Sequence, residues 1–216
     1  EGSCQYFQLG LIINNNIVNN YNPRSNSGSW GDYDNDGFLD LFIGTINGFL
    51  LYHNKGDGDF LQTTQLDSLI GDQMIRGASW IDYDNNGLLD LFMSTHDGDL
   101  ISNDNSCNDG DCQFTNISVL WGSWQHPGWA DLDNDGDLDH IAIDDQTDFI
   151  YLQNYDSTFT KKFYNHAVPN NINLGNPYMI GGSSIADVDN DGDLDILILR
   201  TGSEKNTLLL HNGDEN

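Results

Sequence analysis

The sequence predicts an all-β protein in which a small antiparallel sheet repeats four times, the arrangement of a β-propeller. Three observations lead to this fold class. An acidic phrase with a carboxylate on every second residue occurs four times, at steps of 50, 49 and 56 residues, a spacing typical of propeller and solenoid repeats. A short apolar run follows each copy, and its length indicates a buried strand. No stretch combines a sustained 3.6-residue apolar period with caps, so we expect very little helix.

The acidic phrase is most regular in its fourth copy, which runs from Asp187 to Asp195 and turns on Gly192. Five carboxylates over nine residues repel one another unless a cation lies among them. Hard oxygen ligands at this density favour calcium over magnesium or a transition metal. The four copies define loop 1 (32–40), loop 2 (82–90), loop 3 (131–139) and loop 4 (187–195). The sequence therefore predicts about four bound calcium ions.

Each loop begins the same succession of strands. The apolar run after the loop predicts one strand, a turn leads to a second strand such as 46–52, and a Gly-rich hairpin such as 54–60 leads to a third. Small sheets of this kind pack face to face around an axis, which leaves only short protected edges. We therefore expect residues 1–216 to form one domain of four units. A large apolar side chain stands two residues before each loop, and these are Trp30, Trp80, Trp129 and Ile185.

The composition fits a folded protein that does not bind nucleic acid. Hydrophobic residues make up 38% of the chain and aromatic residues 11%, which is enough for a core in 216 residues. The formal net charge is -27, and half of the 34 acidic residues lie in the four loops, where bound cations account for them. Only 7 residues are Lys or Arg, so we expect no basic surface for a phosphate backbone.

The predicted calcium loops, which suit extracellular calcium levels, and a plausible hairpin disulfide indicate an extracellular protein, secreted or at the cell surface. No run approaches the roughly 20 apolar residues that span a bilayer, and a start at Glu1 suggests a mature or trimmed chain. Cys107 and Cys112 bracket a turn sequence, and a disulfide between them is geometrically easy if the flanking strands pair. Cys4 is then left over. It is a free thiol, an intermolecular bridge, or a residue whose partner lies upstream.

The segment Trp30-Gly-Asp-Tyr-Asp-Asn-Asp-Gly-Phe-Leu-Asp-Leu-Phe-Ile-Gly44 and its three copies resemble the FG-GAP or VCBS repeats of integrin-alpha-like β-propellers. The resemblance covers nearly the whole chain. It implies that each loop joins two strands of a blade and holds calcium. Members of that family usually have seven or eight blades, more than this chain supplies. Two arrangements stay open: residues 4–7 close a ring of four blades, or residues 1–27 finish a preceding blade of a larger propeller.

The resemblance also implies five calcium ligands in each loop, at the first, third, fifth, seventh and ninth positions. The seventh residue contributes its backbone carbonyl. Because Asn86 replaces a carboxylate, we expect loop 2 to bind calcium most weakly. The implied ligands are Asp32, Asp34, Asp36, Phe38 and Asp40 in loop 1; Asp82, Asp84, Asn86, Leu88 and Asp90 in loop 2; Asp131, Asp133, Asp135, Asp137 and Asp139 in loop 3; and Asp187, Asp189, Asp191, Asp193 and Asp195 in loop 4.

Four residues outside the loops are candidate ligand contacts. Trp121 and Trp124 have no aromatic counterparts in the other repeats, so they either stack on a sugar ring or pack between blades. His126 and Arg76, on neighbouring predicted loops, are a candidate polar pocket. His53, together with His211 at an equivalent strand end, is interpreted as structural. Asn116 begins the one N-glycosylation pattern of the chain.

The sequence predicts no catalytic residues. Paired aspartates serve as acid and base in glycoside cleavage, but a loop repeated in every unit favours a structural role over one active centre. No nucleophile lies in a recognisable triad, and no phosphate-binding glycine loop follows a strand. We therefore expect a calcium-stabilised structural or adhesion module that binds other extracellular proteins, copies of itself, or glycans. The alternatives are a carbohydrate-binding lectin, which exposed Trp121 and Trp124 favour, and a propeller-based polysaccharide-degrading enzyme, which a pocket of other carboxylates favours.

Overall fold

The computed structural model describes residues 25–63, 66, 72–95, 98–108, 111–120, 128–143, 148–163, 180–200 and 206–211. Within these ranges the chain forms fifteen strands and no helix, which confirms the all-β prediction. No described segment forms a helix that is long and apolar enough to cross a membrane. Residues 4–7, which would close a ring of four blades in one of the two arrangements left open, lie outside the described residues.

The strands form four antiparallel sheets, each ordered as the chain runs. Sheet 1 contains β1 (Ser25–Gly31), β2 (Asp40–Thr45), β3 (Gly48–Asn54) and β4 (Phe60–Thr63). Sheet 2 contains β5 (Ile75–Ile81), β6 (Asp90–Thr95), β7 (Gly98–Asn108) and β8 (Asp111–Leu120). Sheet 3 contains β9 (Gly128–Ala130), β10 (Asp139–Ile143), β11 (Asp148–Gln153) and β12 (Phe159–Phe163). Sheet 4 contains β13 (Ile180–Ala186), β14 (Asp195–Arg200) and β15 (Thr207–Leu209).

Each acidic loop is the connection between the first two strands of its sheet. In sheet 1 the residue before the loop, Gly31, pairs with the last residue of the loop, Asp40. Ala130 and Asp139 pair in the same way in sheet 3. The strand before the loop carries the Trp or Ile at its next-to-last position, so this side chain lies beside the apolar run that follows the loop.

Three apolar clusters lie between consecutive sheets. The first joins sheets 1 and 2, where the rings of Tyr33 and Trp80 stack with centroids 5.6 Å apart. The second joins sheets 2 and 3 and contains Tyr83 and Tyr151, and the third joins sheets 3 and 4 through residues such as Leu132. Side chains alternate between the two faces of each strand. In the interior strands β6, β10 and β11, alternate side chains therefore contribute to the clusters on the two sides of the sheet.

Sheets 1 and 2 approach closely because glycine occupies the contact. A Cβ atom at Gly31 would lie 2.5 Å from the indole of Trp80, and one at Gly44 would lie 2.6 Å from Ile75. Both distances are far below van der Waals contact, so any larger residue would force the sheets apart. The close approach brings Asn26 Nδ2 within 3.1 Å of the Ile75 carbonyl, which accepts its hydrogen bond.

The two outermost faces of the array are more exposed than the faces between sheets. Trp30 on sheet 1 is 51% exposed, and Val188 in loop 4 is 52% exposed. We define the first end face by Trp30, Leu39 and Phe60, and the last end face by Val188, Leu208 and Leu210. Five of these six side chains are at least 45% exposed, and Phe60 is partly buried.

The two cysteines predicted to form a disulfide lie opposite one another. Cys107 in β7 is the register partner of Cys112 in β8, and Cys112 is disulfide-bonded. Antiparallel pairing at this register is what the predicted bridge between them requires. Cys4 lies outside the described residues. Asn116, the candidate glycosylation residue, lies in β8.

Candidate metal centres in the acidic loops

Two residues in each loop adopt left-handed backbone conformations that create the tight turn. The glycines at the sixth position have φ between 86° and 99°, and the asparagines at the fourth position have φ between 56° and 61°. Glycine adopts this region without strain, and asparagine tolerates it better than most residues. The sequence predicted the role of the glycines and missed that of the asparagines, which are Asn35, Asn85, Asn134 and Asn190.

The first aspartate of each loop holds the turn together. In loop 1, Asp32 accepts hydrogen bonds from the backbone N–H groups of Asp36 and Gly37 at 3.0 and 2.9 Å. Asp82 and Asp131 accept the equivalent pairs in loops 2 and 3. In loop 4, Asp187 accepts the N–H of its glycine at 3.2 Å. The first carboxylate is therefore oriented by the backbone of its own loop.

The side chain at the fifth position caps the backbone N–H at the seventh. Asp36 Oδ1 accepts the N–H of Phe38 at 2.8 Å. Asn86 makes the same bond to Leu88 at 2.7 Å, so its amide preserves the shape of loop 2 although it removes a charge. Metal ligation by the fifth side chains and by the seventh carbonyls stays a prediction.

The ninth aspartate is buried and ties the loop to the rest of its sheet. Asp139 is fully buried and accepts the N–H of Leu132 at 2.7 Å and that of Gln153 at 2.8 Å. Asp40 is also fully buried and accepts two N–H groups from its own repeat. Burial raises the pKa of Asp40 and of Asp139 to about 6. These carboxylates are thus more costly to ionise than a solvated aspartate.

The third aspartate completes a cluster of three carboxylates. In every loop, oxygens of the first, third and ninth aspartates all lie within 4.8 Å of one another. Burial raises the pKa of Asp34, and the nearby Asp36 carboxylate raises it further. The pKa of Asp133 is raised in the same way by burial and by Asp135. The clusters are Asp32, Asp34, Asp40; Asp82, Asp84, Asp90; Asp131, Asp133, Asp139; and Asp187, Asp189, Asp195.

This donor set fits a hard divalent cation. The converging atoms of the four clusters are all carboxylate oxygens, the ligands that calcium prefers. Asp187 Oδ1 is buried and accepts no hydrogen bond from the described residues, although a buried acceptor without a partner is costly. A bound calcium ion would supply the positive charge that these crowded oxygens lack. The structure therefore brings together three of the five predicted ligand positions in each loop.

Loop 1 contains an imidazole that the sequence did not assign to the cluster. His53 Nδ1 lies 3.2 Å from Asp34 Oδ2 and 3.3 Å from Asp40 Oδ1. The sequence placed His53 and His211 at equivalent positions, which was wrong by one residue. The backbone N–H of His211 donates to Asp195, just as that of Asn54 donates to Asp40. A shift of one residue along a strand reverses the face on which a side chain lies.

The fourth-position asparagines link each loop to the next. Asn35 Nδ2 donates to the Gly87 carbonyl at 3.3 Å. Asn85 Nδ2 donates to the Asp137 carboxylate at 2.8 Å, and Asn134 Nδ2 donates to that of Asp193 at 3.1 Å. The four loops therefore lie side by side in chain order.

We expect Asn134→Gly to destabilise the calcium-loaded chain by about 0.5 to 1 kcal/mol more than Asn190→Gly does, judged by urea midpoints. Glycine retains the left-handed turn at both positions. It removes the amide that donates to Asp193 only at position 134, since the described residues offer no acceptor to Asn190. Equal losses for the two variants would show that the link between loops is energetically neutral.

The other candidate contacts are not brought together by the described residues. Trp121, Trp124 and His126 lie outside them. Arg76 is the second residue of β5, so the prediction that it lies in a loop was wrong. Its segment alternates in burial as a strand does.

Comparisons with known proteins agree with the repeated loops. A family model described as FG-GAP-like repeat matches residues 32–93 and 131–198. A search of curated proteins gives no significant match.

Solved structures that match include a lectin of Agrocybe aegerita that specifically recognises non-reducing terminal N-acetylglucosamine and the V. cholerae biofilm matrix protein Bap1. The lectin is 21% identical with a TM-score of 0.49, over 78% of this chain and 46% of its own. Bap1 is 14% identical with a TM-score of 0.43, over 82% of this chain and 35% of its own. This chain thus spans less than half the length of either. Because the segments matched by the family model make up more than half of the chain, the protein belongs to the FG-GAP-like repeat family.

Proposed function

We propose that this chain is a calcium-stabilised structural or adhesion module that acts outside the cell and assembles with extracellular proteins or copies of itself. The observation that carries the proposal is the four-fold repetition of one carboxylate cluster, with three oxygens within 4.8 Å in each loop. Calcium sites of this kind fill at extracellular calcium levels when their affinity is modest. Membership of the FG-GAP-like repeat family supports the same reading.

We propose that the four sheets are blades of a β-propeller. Consecutive sheets pack face to face through three clusters, and in each sheet the loop joins the first strand to the second. Loops 1, 2 and 3 each donate an asparagine hydrogen bond to the next loop along the chain. A radial array of this kind keeps equivalent loops on one edge.

We propose a non-catalytic role for the loop carboxylates. The first and ninth aspartates already accept backbone hydrogen bonds, as Asp131 and Asp139 do in loop 3. A general acid or base needs an oxygen that is open to substrate. The same pattern in every loop supports a stabilising function in each sheet.

A bead-aggregation assay tests the proposed function. Beads coated with the chain are mixed with uncoated beads, with beads bearing glycans, and with one another, in millimolar calcium and in excess chelator. We expect the coated beads to aggregate with one another in calcium and to disperse in chelator. Aggregation that is independent of calcium would contradict the proposed calcium dependence, and no aggregation would contradict assembly between copies of the chain. Calcium-dependent capture of glycan beads alone would instead support the lectin function.

The matched control keeps the net charge equal. The loop variant changes the third position of every loop to asparagine, and the control variant changes four exposed aspartates outside the loops. We expect only the loop variant to lose aggregation, because only it loses calcium ligands. An equal loss of aggregation in the two variants would show that net charge, and not calcium ligation, determines aggregation. The loop variant carries Asp34→Asn, Asp84→Asn, Asp133→Asn and Asp189→Asn, and the control carries Asp57→Asn, Asp59→Asn, Asp72→Asn and Asp156→Asn.

A further inference from the structure

The imidazole of His53 distinguishes loop 1 from the other three loops. Its Nδ1 atom lies 3.2 Å from Asp34 Oδ2 and 3.3 Å from Asp40 Oδ1. Asp34, Asp36 and His53 each offer one ligand atom, and these three atoms lie within 4.8 Å of one another. Among the described residues, no other candidate metal cluster includes a histidine. Loop 1 therefore combines a nitrogen donor with carboxylate oxygens.

Two atoms that face each other in this cluster have no hydrogen-bond partner. The side chain of Asp34 is fully buried, and that of His53 is 13% exposed. Asp34 Oδ2 and His53 Nδ1 are both buried, and neither makes a hydrogen bond with the described residues. A buried polar atom without a partner is costly. Both atoms therefore point to a ligand that binds between them.

The spacing and the donor types fit a zinc ion. Zinc binds imidazole nitrogen and carboxylate oxygen at about 2.0 to 2.2 Å in tetrahedral sites, so two of its ligands lie about 3.3 to 3.6 Å apart. The separation of 3.2 Å between His53 Nδ1 and Asp34 Oδ2 is close to this range. Calcium takes oxygen ligands, whereas imidazole favours zinc and related transition metals. The nitrogen donor thus changes the metal that loop 1 prefers.

The fold of the sheet does not require an imidazole at this position. The residue directly before the amide that donates to the ninth aspartate is His53 in sheet 1, Leu152 in sheet 3 and Leu210 in sheet 4. Leu152 packs against the apolar cluster between sheets 3 and 4. In sheet 2 the strand register gives this position to Asn103. Three sheets therefore form with a leucine or an asparagine there.

We propose that loop 1 is a site for a nitrogen-preferring divalent cation, with zinc as the probe, held by His53, Asp34 and Asp36. Loops 2, 3 and 4 bind calcium. The zinc triad and the carboxylate cluster of loop 1 share Asp34, so zinc and calcium compete in this loop. The inference rests on the proposed function for the other three loops and goes beyond it in loop 1, which calcium occupies only when zinc is absent.

Equilibrium dialysis of the full chain against millimolar calcium and micromolar zinc tests the proposal, with both metals counted by elemental mass spectrometry. We expect the wild-type chain to retain one zinc ion that depends on His53, together with three calcium ions. His53→Leu should weaken zinc binding by at least about 100-fold, because even the loss of a residue that only orients a ligand costs about 10- to 100-fold. This variant should bind a fourth calcium ion in place of zinc.

Two further variants separate loss of a ligand from loss of structure. His53→Asn introduces the residue that sheet 2 carries at this position, and it should lose the zinc ion as His53→Leu does. His211→Leu is the matched control, because His211 belongs to no candidate metal cluster of the described residues. It should keep the zinc ion. Dialysis against calcium alone should give the wild-type calcium content for every variant, which verifies that the variants are folded.

The two metals make failure of this inference distinguishable from failure of the proposed function. A wild-type chain with four calcium ions and no zinc would overturn the inference and leave the calcium function standing. Zinc that both His53 variants retain, or that His211→Leu loses equally, would overturn it as well. A chain that binds zinc through His53 and takes up no calcium would support the zinc site and contradict the proposed function.

Discussion

Removal of calcium is expected to lower the unfolding midpoint of the chain more than any single substitution does. At a free calcium concentration of about 100 times the dissociation constant, each site adds about 2.7 kcal/mol to the free energy of unfolding. Four such contributions are comparable with the whole stability of a typical domain, about 5 to 15 kcal/mol. Thermal unfolding with excess calcium and with excess chelator, at equal ionic strength, measures the effect. An unchanged midpoint would rule out metal stabilisation.

The pH dependence of the stability of the metal-free chain tests whether the buried ninth aspartates cause this destabilisation. The folded-state pKa of Asp40 and of Asp139 is about 6, above the ordinary value of 3.8, because both carboxyls are buried. The folded state therefore binds these protons more tightly than the unfolded state, and stability falls as pH rises from about 4 to about 6. Each group accounts for a loss of order 1 to 3 kcal/mol. We expect the metal-free chain to have a lower urea midpoint at pH 7 than at pH 5. Added calcium should raise the midpoint at pH 7 again.

Trp80→Ala is expected to destabilise the chain by about 3 to 5 kcal/mol, the usual cost of removing a large aromatic side chain from a core. The Trp80 ring stacks on Tyr33 and makes an edge contact with Phe42 at 6.4 Å. It therefore fills the junction between sheets 1 and 2. The loss is measured as a change in the urea unfolding free energy, at a protein concentration low enough to exclude association.

Trp30→Ala is the matched control for this substitution. Trp30 occupies the equivalent position in β1 but is 51% exposed and contacts Phe60 alone among the aromatic rings described. We expect it to cost about 1 kcal/mol or less. Equal losses at the two positions would show that the junction contributes nothing beyond the burial of one indole within its own sheet.

Much of the fold followed from the sequence because its signals are local. The step between loops gave the repeat, and runs such as 41–43 lie in strands that begin at the ninth aspartate, as in β2. The carboxylate clusters followed for the same reason, since all three carboxylates of each cluster belong to one loop of nine residues. Short-range pattern determines these features without knowledge of neighbouring sheets.

The remaining features depend on register and on neighbours. His53 reaches loop 1 because β3 places it on one face, and an error of one residue hides that contact. Arg76 was placed in a loop because the start of β5 has no acidic phrase to mark it. The sequence pattern treats Trp30 and Trp80 alike, whereas their exposure depends on whether another sheet packs against them. Tertiary context of this kind is not present in local periodicity.

The hydrogen bonds of the ninth aspartate couple the local unfolding of its loop to that of the third strand. Asp139 joins the backbone of its loop to that of Gln153, fourteen residues further along the chain in β11. Loop, hairpin and third strand therefore lose their amide protection together, as one unit of local unfolding. Hydrogen exchange should detect a vacant metal centre at the amide of Gln153, in a strand that contributes no predicted ligand.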